Sequence, residues 1–215
     1  MSFASLGQGD ELSETTVLSS SAKRRLRIVE CVIDLLGTQG GSAVSHRAID
    51  DMLVLPNGTT SNFFRTKTAL LGAAYDRIAE LDLIEVDRAL AAAQNAPKSD
   101  VSGSQIIAKT IEAWVGSEEG LIRHRARLEI DLLASYWSDL APIVLHHRNE
   151  VTKLVAQFLA ILGLDDTWEK ARMLHVITDG LIFDQAIHKY DGHRLSLETI
   201  GESLSSMLLS WRTAD

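Results

Sequence analysis

The chain has 215 residues, enough for a sizeable core, and its 46% apolar and 23% charged residues suit a globular protein rather than a disordered or fibrous one. A single cysteine, Cys31, excludes an internal disulfide and a cysteine-based zinc site, and no apolar run reaches the roughly 20 residues that span a bilayer. The net charge of −8 argues against nucleic acid only on average: residues 20–67 carry 7 basic against 4 acidic side chains, while 1–19 carry 0 against 3 and 68–215 carry 14 against 22.

Residues 1–20, rich in Ser, Gly and Thr and without periodicity, read as a flexible tail. Their Gly7-Gln8-Gly9 fragment is no nucleotide-binding motif, because Leu12 stands where the third glycine belongs and no strand precedes it. A first helix is expected from Ala22 to Thr38, with Leu26, Val29, Ile33 and Leu36 on one face and Gly40-Gly41 as its stop. Cys31 falls on its apolar side, as a packing thiol. Ser45 caps a second helix running to about Leu53, and Pro56 separates it from a third over 57–64. These three short helices form a head whose positive charges are Lys23, Arg24, Arg25 and Arg27, then Arg47, Arg65 and Lys67. A basic head on an acidic body fits docking to DNA at one end, although Lys23 to Arg27 taken alone also reads as a solvated helix start.

A fourth helix, from Lys67 to Gln94, is too long for the head and is expected to link it to the body. Residues 95–103, with Pro97 and two serines, read as a loop, followed by helices near 104–117, 121–136, 139–162, 166–189 and 195–212. The fold class is therefore all-α. In the last helix Leu197, Ile200, Leu204, Met207 and Trp211 alternate steps of three and four, a heptad seam. Leu174, Ile177, Leu181, Asp184 and His188 repeat the pattern in the helix before it. A second copy of this pair would complete a four-helix interface, and an intrachain core is the alternative.

The segment Leu55 to Lys67 is the most informative: a tight turn feeding a small helix whose start offers Asn57, Gly58, Thr59, Thr60, Ser61 and Asn62, groups suited to base edges and phosphates. With the basic first helix, Ser45, the GTTSNFF helix and the run Arg65-Thr66-Lys67-Thr68-Ala69-Leu70-Leu71, residues 22–75 resemble the TetR family of transcriptional regulators. Gly58, Phe64, Lys67, Leu70 and Leu71 fall where that family usually keeps glycine, phenylalanine, lysine and two apolar residues. The resemblance implies a helix-turn-helix domain over 21–67 and a helical ligand-binding and dimerisation domain over 68–215. It also implies a homodimer joined by the last two helices, a small-molecule inducer, and palindromic operator DNA from which a repressor is released.

On this alignment Thr59, Thr60 and Asn62 read bases, Arg47 reaches a phosphate or guanine, and Lys67, Ser61 and backbone amides hold phosphates. Three residues depart from the family pattern. Asp50 replaces a common alanine and is expected to face away from the duplex, Val54 replaces a turn glycine, and Phe63 replaces a frequent tyrosine or histidine donor. Phe63 either packs on the DNA backbone or turns into the head's core.

Candidate pocket residues are Trp114, Asp131, Tyr136, Trp137, His147, His175 and Phe183, each of which also reads as an ordinary core or surface residue. Dimer contacts are expected at Leu174, Leu181, Leu197, Ile200, Leu204, Met207 and Trp211. A helical metalloenzyme would draw on His175/Asp179, Asp184/His188 or His147/Glu150, but paired Glu-x-x-His motifs are missing, so neither metal nor catalysis is expected. The remaining alternative is a helical adaptor that has lost DNA binding. No cofactor motif and no secretion signal are read, which makes the cytoplasm the expected location.

Overall fold

The structure, a computed structural model, describes residues 19–164, 168–188 and 191–213. All but two residues of the 1–20 tail, including its Gly7-Gln8-Gly9 fragment, lie outside the described residues. Every regular element among the described residues is an α-helix: α1 Ser20–Gln39, α2 His46–Met52, α3 Thr59–Phe63, α4 Lys67–Asn95, α5 Asp100–Val115, α6 Glu118–Ala134, α7 Ala141–Ile161, α8 Trp168–Ile187 and α9 Leu197–Thr213.

Hydroxyl N-caps set many of these starts. Ser19, Ser45, Thr66, Ser99, Ser117 and Ser196 each accept a hydrogen bond from a backbone N–H three residues on, at 3.0–3.1 Å. The cap at Ser99 starts α5 at Asp100, four residues before the expected 104, and shortens the predicted loop. Elsewhere the expected helices hold to within a few residues.

Two apolar clusters organise the packing. The first joins Ile28, Val32 and Leu36 of α1, Ile49 of α2, Phe64, and Leu70, Leu71 and Ile78 of α4 to Ala126 and Ile130 of α6 and Val144 of α7. The head thus shares its core with the body. Gly37 makes this possible, since a Cβ there would sit 2.1 Å from the Ile122 carbonyl oxygen of α6. The second cluster lies in the body, around Ile111, Phe158, Leu159, Leu162, Ile182, Ile200, Leu204 and Leu208. Helix α4 runs without interruption from one cluster to the other, lending Leu70 to Ile78 to the first and Val86 and Ala93 to the second.

The expected dimer seam needs correction. Ile200 is 1% exposed, Leu204 2% and Leu174 3%, all inside the single-chain core, and Leu181, Met207 and Trp211 pack against that core as well. Of the seven, Leu197 alone is exposed. Helix α9 turns its heptad line onto α5, where Gly103 brings the backbone close to Leu162 and Leu208. The exposed apolar line lies one position away on α8: Met173, Val176, Phe183 and Ile187, at 49–54% exposure, with Gly180 between them. A three-four repeat fixes that a helix has a buried stripe and does not say whether the partner is in the same chain.

Val54 adopts φ 54° and is 90% exposed, so a β-branched side chain occupies the left-handed region and makes little packing in return. Val54→Gly is expected to stabilise the fold by about 0.5–1 kcal/mol, read as a higher denaturant midpoint at unchanged slope. A lower midpoint would show that the turn holds no strain.

Candidate nucleic-acid interface and ligand cavity

The head builds its α3 from a buried carboxylate. Asp50, 1% exposed on α2, accepts from Gly58 N and Thr60 N at 2.8 Å and from Thr60 Oγ1 at 2.6 Å. Burial pushes its carboxyl up, yet the hydrogen bonds from Thr60 and Gly58 hold it below the usual range. Asp50 therefore faces away from solvent and caps a helix that Gly58, at φ 87°, could not cap with a side chain. Its acidity, puzzling on a DNA-facing surface, is spent inside the head.

The same bond redefines Thr60. It is fully buried, and its hydroxyl is given to Asp50, so it has nothing to offer a base edge. Thr59 donates to Pro56 O and Ser61 to Gly58 O, which leaves their oxygens as acceptors only. Asn57 and Asn62 are exposed, and Arg47 is 88% exposed and paired only loosely with Asp51 at 3.7 Å. Lys67 points elsewhere: its ammonium donates to Gly41 O at 2.9 Å and lies 6.0 Å from the Trp137 ring, locking the start of α4 to the turn after α1. Phe63 is half-buried against the head's core, and His46 donates to Phe64 O at 2.7 Å. Phe63 has taken the inward course of the two open to it.

The body encloses a cavity of about 110 Å³ between α4, α5, α6, α7 and α8. Of the expected pocket residues Trp114, His147 and His175 line it. Tyr136 is 77% exposed and Phe183 50%, both at the surface away from the cavity, and Trp137 packs with the head. Asp131 stands behind the wall, accepting from the Tyr75 hydroxyl at 2.8 Å with Arg148 3.6 Å away. Those placements follow from helix phase, which composition does not reveal.

The polar end of the cavity is made of groups the sequence reading passed over. Asp82 of α4 accepts from Arg123 Nε at 3.1 Å, with His124 Nε2 3.5 Å away. Arg127 Nη1 and Arg148 Nη2 donate to the two oxygens of Asp179 at 2.9 and 2.7 Å, tying α6 and α7 to α8. Burial raises the Asp82 carboxyl to about 6 despite Arg127 and Arg123, and it lowers His175 to about 4 and His124 well below the usual range. Both histidines are therefore neutral near pH 7. The available signal was the spacing of Leu121, His124 and Arg127 at steps of three along one face; the Arg123-His124-Arg125-Ala126-Arg127 run masks it as a solvated basic face. The His175/Asp179 and Asp184/His188 pairs bring no metal cluster together among the described residues.

Residues 104–208 match the family model described as Tetracyclin repressor-like, C-terminal domain. That match is to the C-terminal domain alone, so residues 104–208 form a body similar to that of TetR-type repressors. Among solved structures, a member of TetR family (SCO1917) from Streptomyces coelicolor A3 is similar at TM-score 0.69 and 24% identity, over 86% of this chain and 98% of that one. The multidrug binding protein EbrR complexed with malachite green gives 0.66 and 24%, with the same coverages. A transcriptional regulator (RHA1_ro04179) from Rhodococcus sp. Rha1 gives 0.66 and 16%, over 88% and 96%. No protein of curated function matches in sequence. No helix among the described residues is long and apolar enough to cross a membrane.

The raised Asp82 carboxyl gives the body a defined pH response. Between about pH 4 and 6 the folded state holds a proton on Asp82 that the unfolded state has released, so ionised Asp82 costs stability above that window. Asp82→Asn, which mimics the protonated acid, is expected to be more stable than the parent by about 1–3 kcal/mol at pH 7.5 and equal to it near pH 4. The measurement is the difference in urea midpoints at both pH values. A difference that does not change with pH would refute the assignment.

Proposed function

We propose that the chain is a homodimeric repressor that binds palindromic operator DNA and is released by a small molecule held in the body cavity. The observation that carries this is the α2–α3 unit. Asp50 fixes the short α3 from inside, and the polar groups left outside, Arg47, Asn57 and Asn62, share one basic end of the molecule with Arg65 and exposed Lys23, Arg24 and Arg27. Gly58 lets the backbone approach closely, Thr59 and Ser61 offer acceptors, and Phe63 supports α3 from within. EbrR, a neighbour in fold, is described as a multidrug binding protein complexed with malachite green, which supports reading the cavity as an inducer site.

The link between cavity and head runs along two helices. Helix α4 carries Tyr75, Ile78, Asp82 and Val86 past the cavity and Leu70 and Leu71 into the head. Helix α6 presents His124 and Arg127 to the cavity, while its Ile122 touches Gly37 and its Glu129 carboxylate accepts from Gly41 N at 3.1 Å. A ligand that draws α4 or α6 inward moves α1 with it and changes the spacing of the two heads.

The second copy docks on the exposed α8 line Met173, Val176, Phe183 and Ile187, with Gly180 and Gly201, which have no neighbouring atom within 4 Å of a built Cβ, allowing close backbone approach. Phe183→Glu is expected to give a folded monomer with unchanged helicity in sedimentation analysis, since it leaves the α5–α9 core intact. A dimer that survives this change would place the interface elsewhere.

Selection of genomic fragments by the purified protein, followed by titration of the best fragment over a salt series, tests the function. An enriched inverted repeat with a steep loss of affinity in salt is the expected result. Asn62→Ala should alter preference at one half-site position at a cost of about 1–3 kcal/mol, and Arg47→Ala should weaken all sequences alike and flatten the salt slope by about one. A folded dimer that enriches no sequence would favour the adaptor reading.

A further inference from the structure

We propose that the body cavity is built for a small amphipathic carboxylate, whose anionic end takes the free edge of the Arg127 guanidinium and whose hydrocarbon part lies along Val86, Leu90, Ile107 and Phe158. This deepens the repressor reading and rests on it for the step from ligand binding to DNA release.

Arg127 is 8% exposed and uses Nη1 for Asp179, while Nε and Nη2 on its other edge have no hydrogen-bond partner. Those two nitrogens point their N–H bonds in parallel, the spacing that meets both oxygens of a carboxylate. Leaving such a charged donor pair buried and unmet is costly, which argues that a ligand meets it. Two neighbours in the same wall repeat the pattern. Trp114 Nε1 is a buried donor without an acceptor, and both ring nitrogens of His124, 1% exposed, lack a hydrogen bond; the two rings lie 5.6 Å apart.

The acidic groups around the cavity are all taken. Asp82 holds Arg123, Asp179 holds Arg127 and Arg148, and Asp131 holds Tyr75. A cation entering here finds Asp82 and Asp179 already paired with arginine, whereas an anion finds an unpaired donor edge on Arg127. Arg123, Arg127 and Arg148 are matched one for one by Asp82, Asp131 and Asp179, so no surplus of positive charge is present for a dianion such as phosphate. The apolar wall facing the donors selects a monoanion with a hydrocarbon body.

Calorimetric titration of the full chain with octanoate, 4-phenylbutanoate, octanamide and octyltrimethylammonium separates the possibilities. A carboxylate is expected to bind at least about tenfold tighter than the amide, and the ammonium compound not at all. Arg127→Lys keeps the charge and loses the paired edge, and should weaken the carboxylate about tenfold or more. Because Arg127 also ties α6 to α8, Trp114→Phe provides a second variant: it keeps the ring, removes the N–H, and should weaken the carboxylate several-fold with helicity unchanged. The proposal fails if neither carboxylate binds, if the ammonium compound binds more tightly, or if both variants bind octanoate as the parent does. Sequence-selective DNA binding relieved only by the ammonium compound would overturn this inference and leave the repressor reading standing. Carboxylate binding by a protein that selects no DNA would do the reverse.

Discussion

The close crossing of α1 and α6 is the constraint on which the rest of the molecule depends. At Gly37 the two backbones approach so nearly that any side chain would meet the Ile122 carbonyl, and the apolar faces zipped by this contact include Ile28, Val32, Ala126 and Ile130. A head of three short helices has too little surface to bury for independent stability. By borrowing α6 and the start of α7 for its core, it becomes stable and also mechanically bound to the body. The glutamate that receives Gly41 N and the lysine that donates to Gly41 O close the same junction from two sides.

Polar chemistry inside the body works in the opposite sense. Burying Arg127 and Asp179 carries a desolvation penalty that their attraction offsets only with good geometry, so an apolar pair of equal volume would serve stability at least as well. Burial forces Asp82 toward its neutral form and keeps His124 and His175 uncharged. A core arranged for stability alone would have no reason to keep these groups, nor to leave Trp114 Nε1 and one edge of Arg127 unmet. Their convergence on a single cavity is the ground on which the proposed ligand site rests.

Much of the fold was legible because its signals are local. Ser45 marks a helix start by a hydroxyl three residues from the N–H it accepts, and Gly40 marks a stop at φ 80°. Ser99 carries the same signal but was hidden by Pro97 and by neighbouring serines. What the sequence could not show were relations between helices. The line Ile200, Leu204 looks the same whether it faces α5 or a second chain, and Thr60 looks like a base reader until Asp50, ten residues away, is seen to receive its hydroxyl. Two of the three residues that depart from the family pattern, Asp50 and Phe63, support α3 from within.

The cavity was the least legible part, for a reason that bears on the proposed ligand response. Arg127 and His124 stand in a basic run that any pattern reading assigns to solvent, and only the placement of α6, with one face on α1 and the other on the cavity, carries them inside. The same placement would let α6 act as a lever. Its head-facing side is held rigidly by a glycine contact that tolerates no slack, while its cavity-facing side holds donors that gain an interaction only when a ligand is present. A helix clamped on one face and unsatisfied on the other has a reason to move when the unsatisfied face finds its partner. Because the clamp is at α1, a motion of this kind would be delivered to the head rather than dissipated in the body.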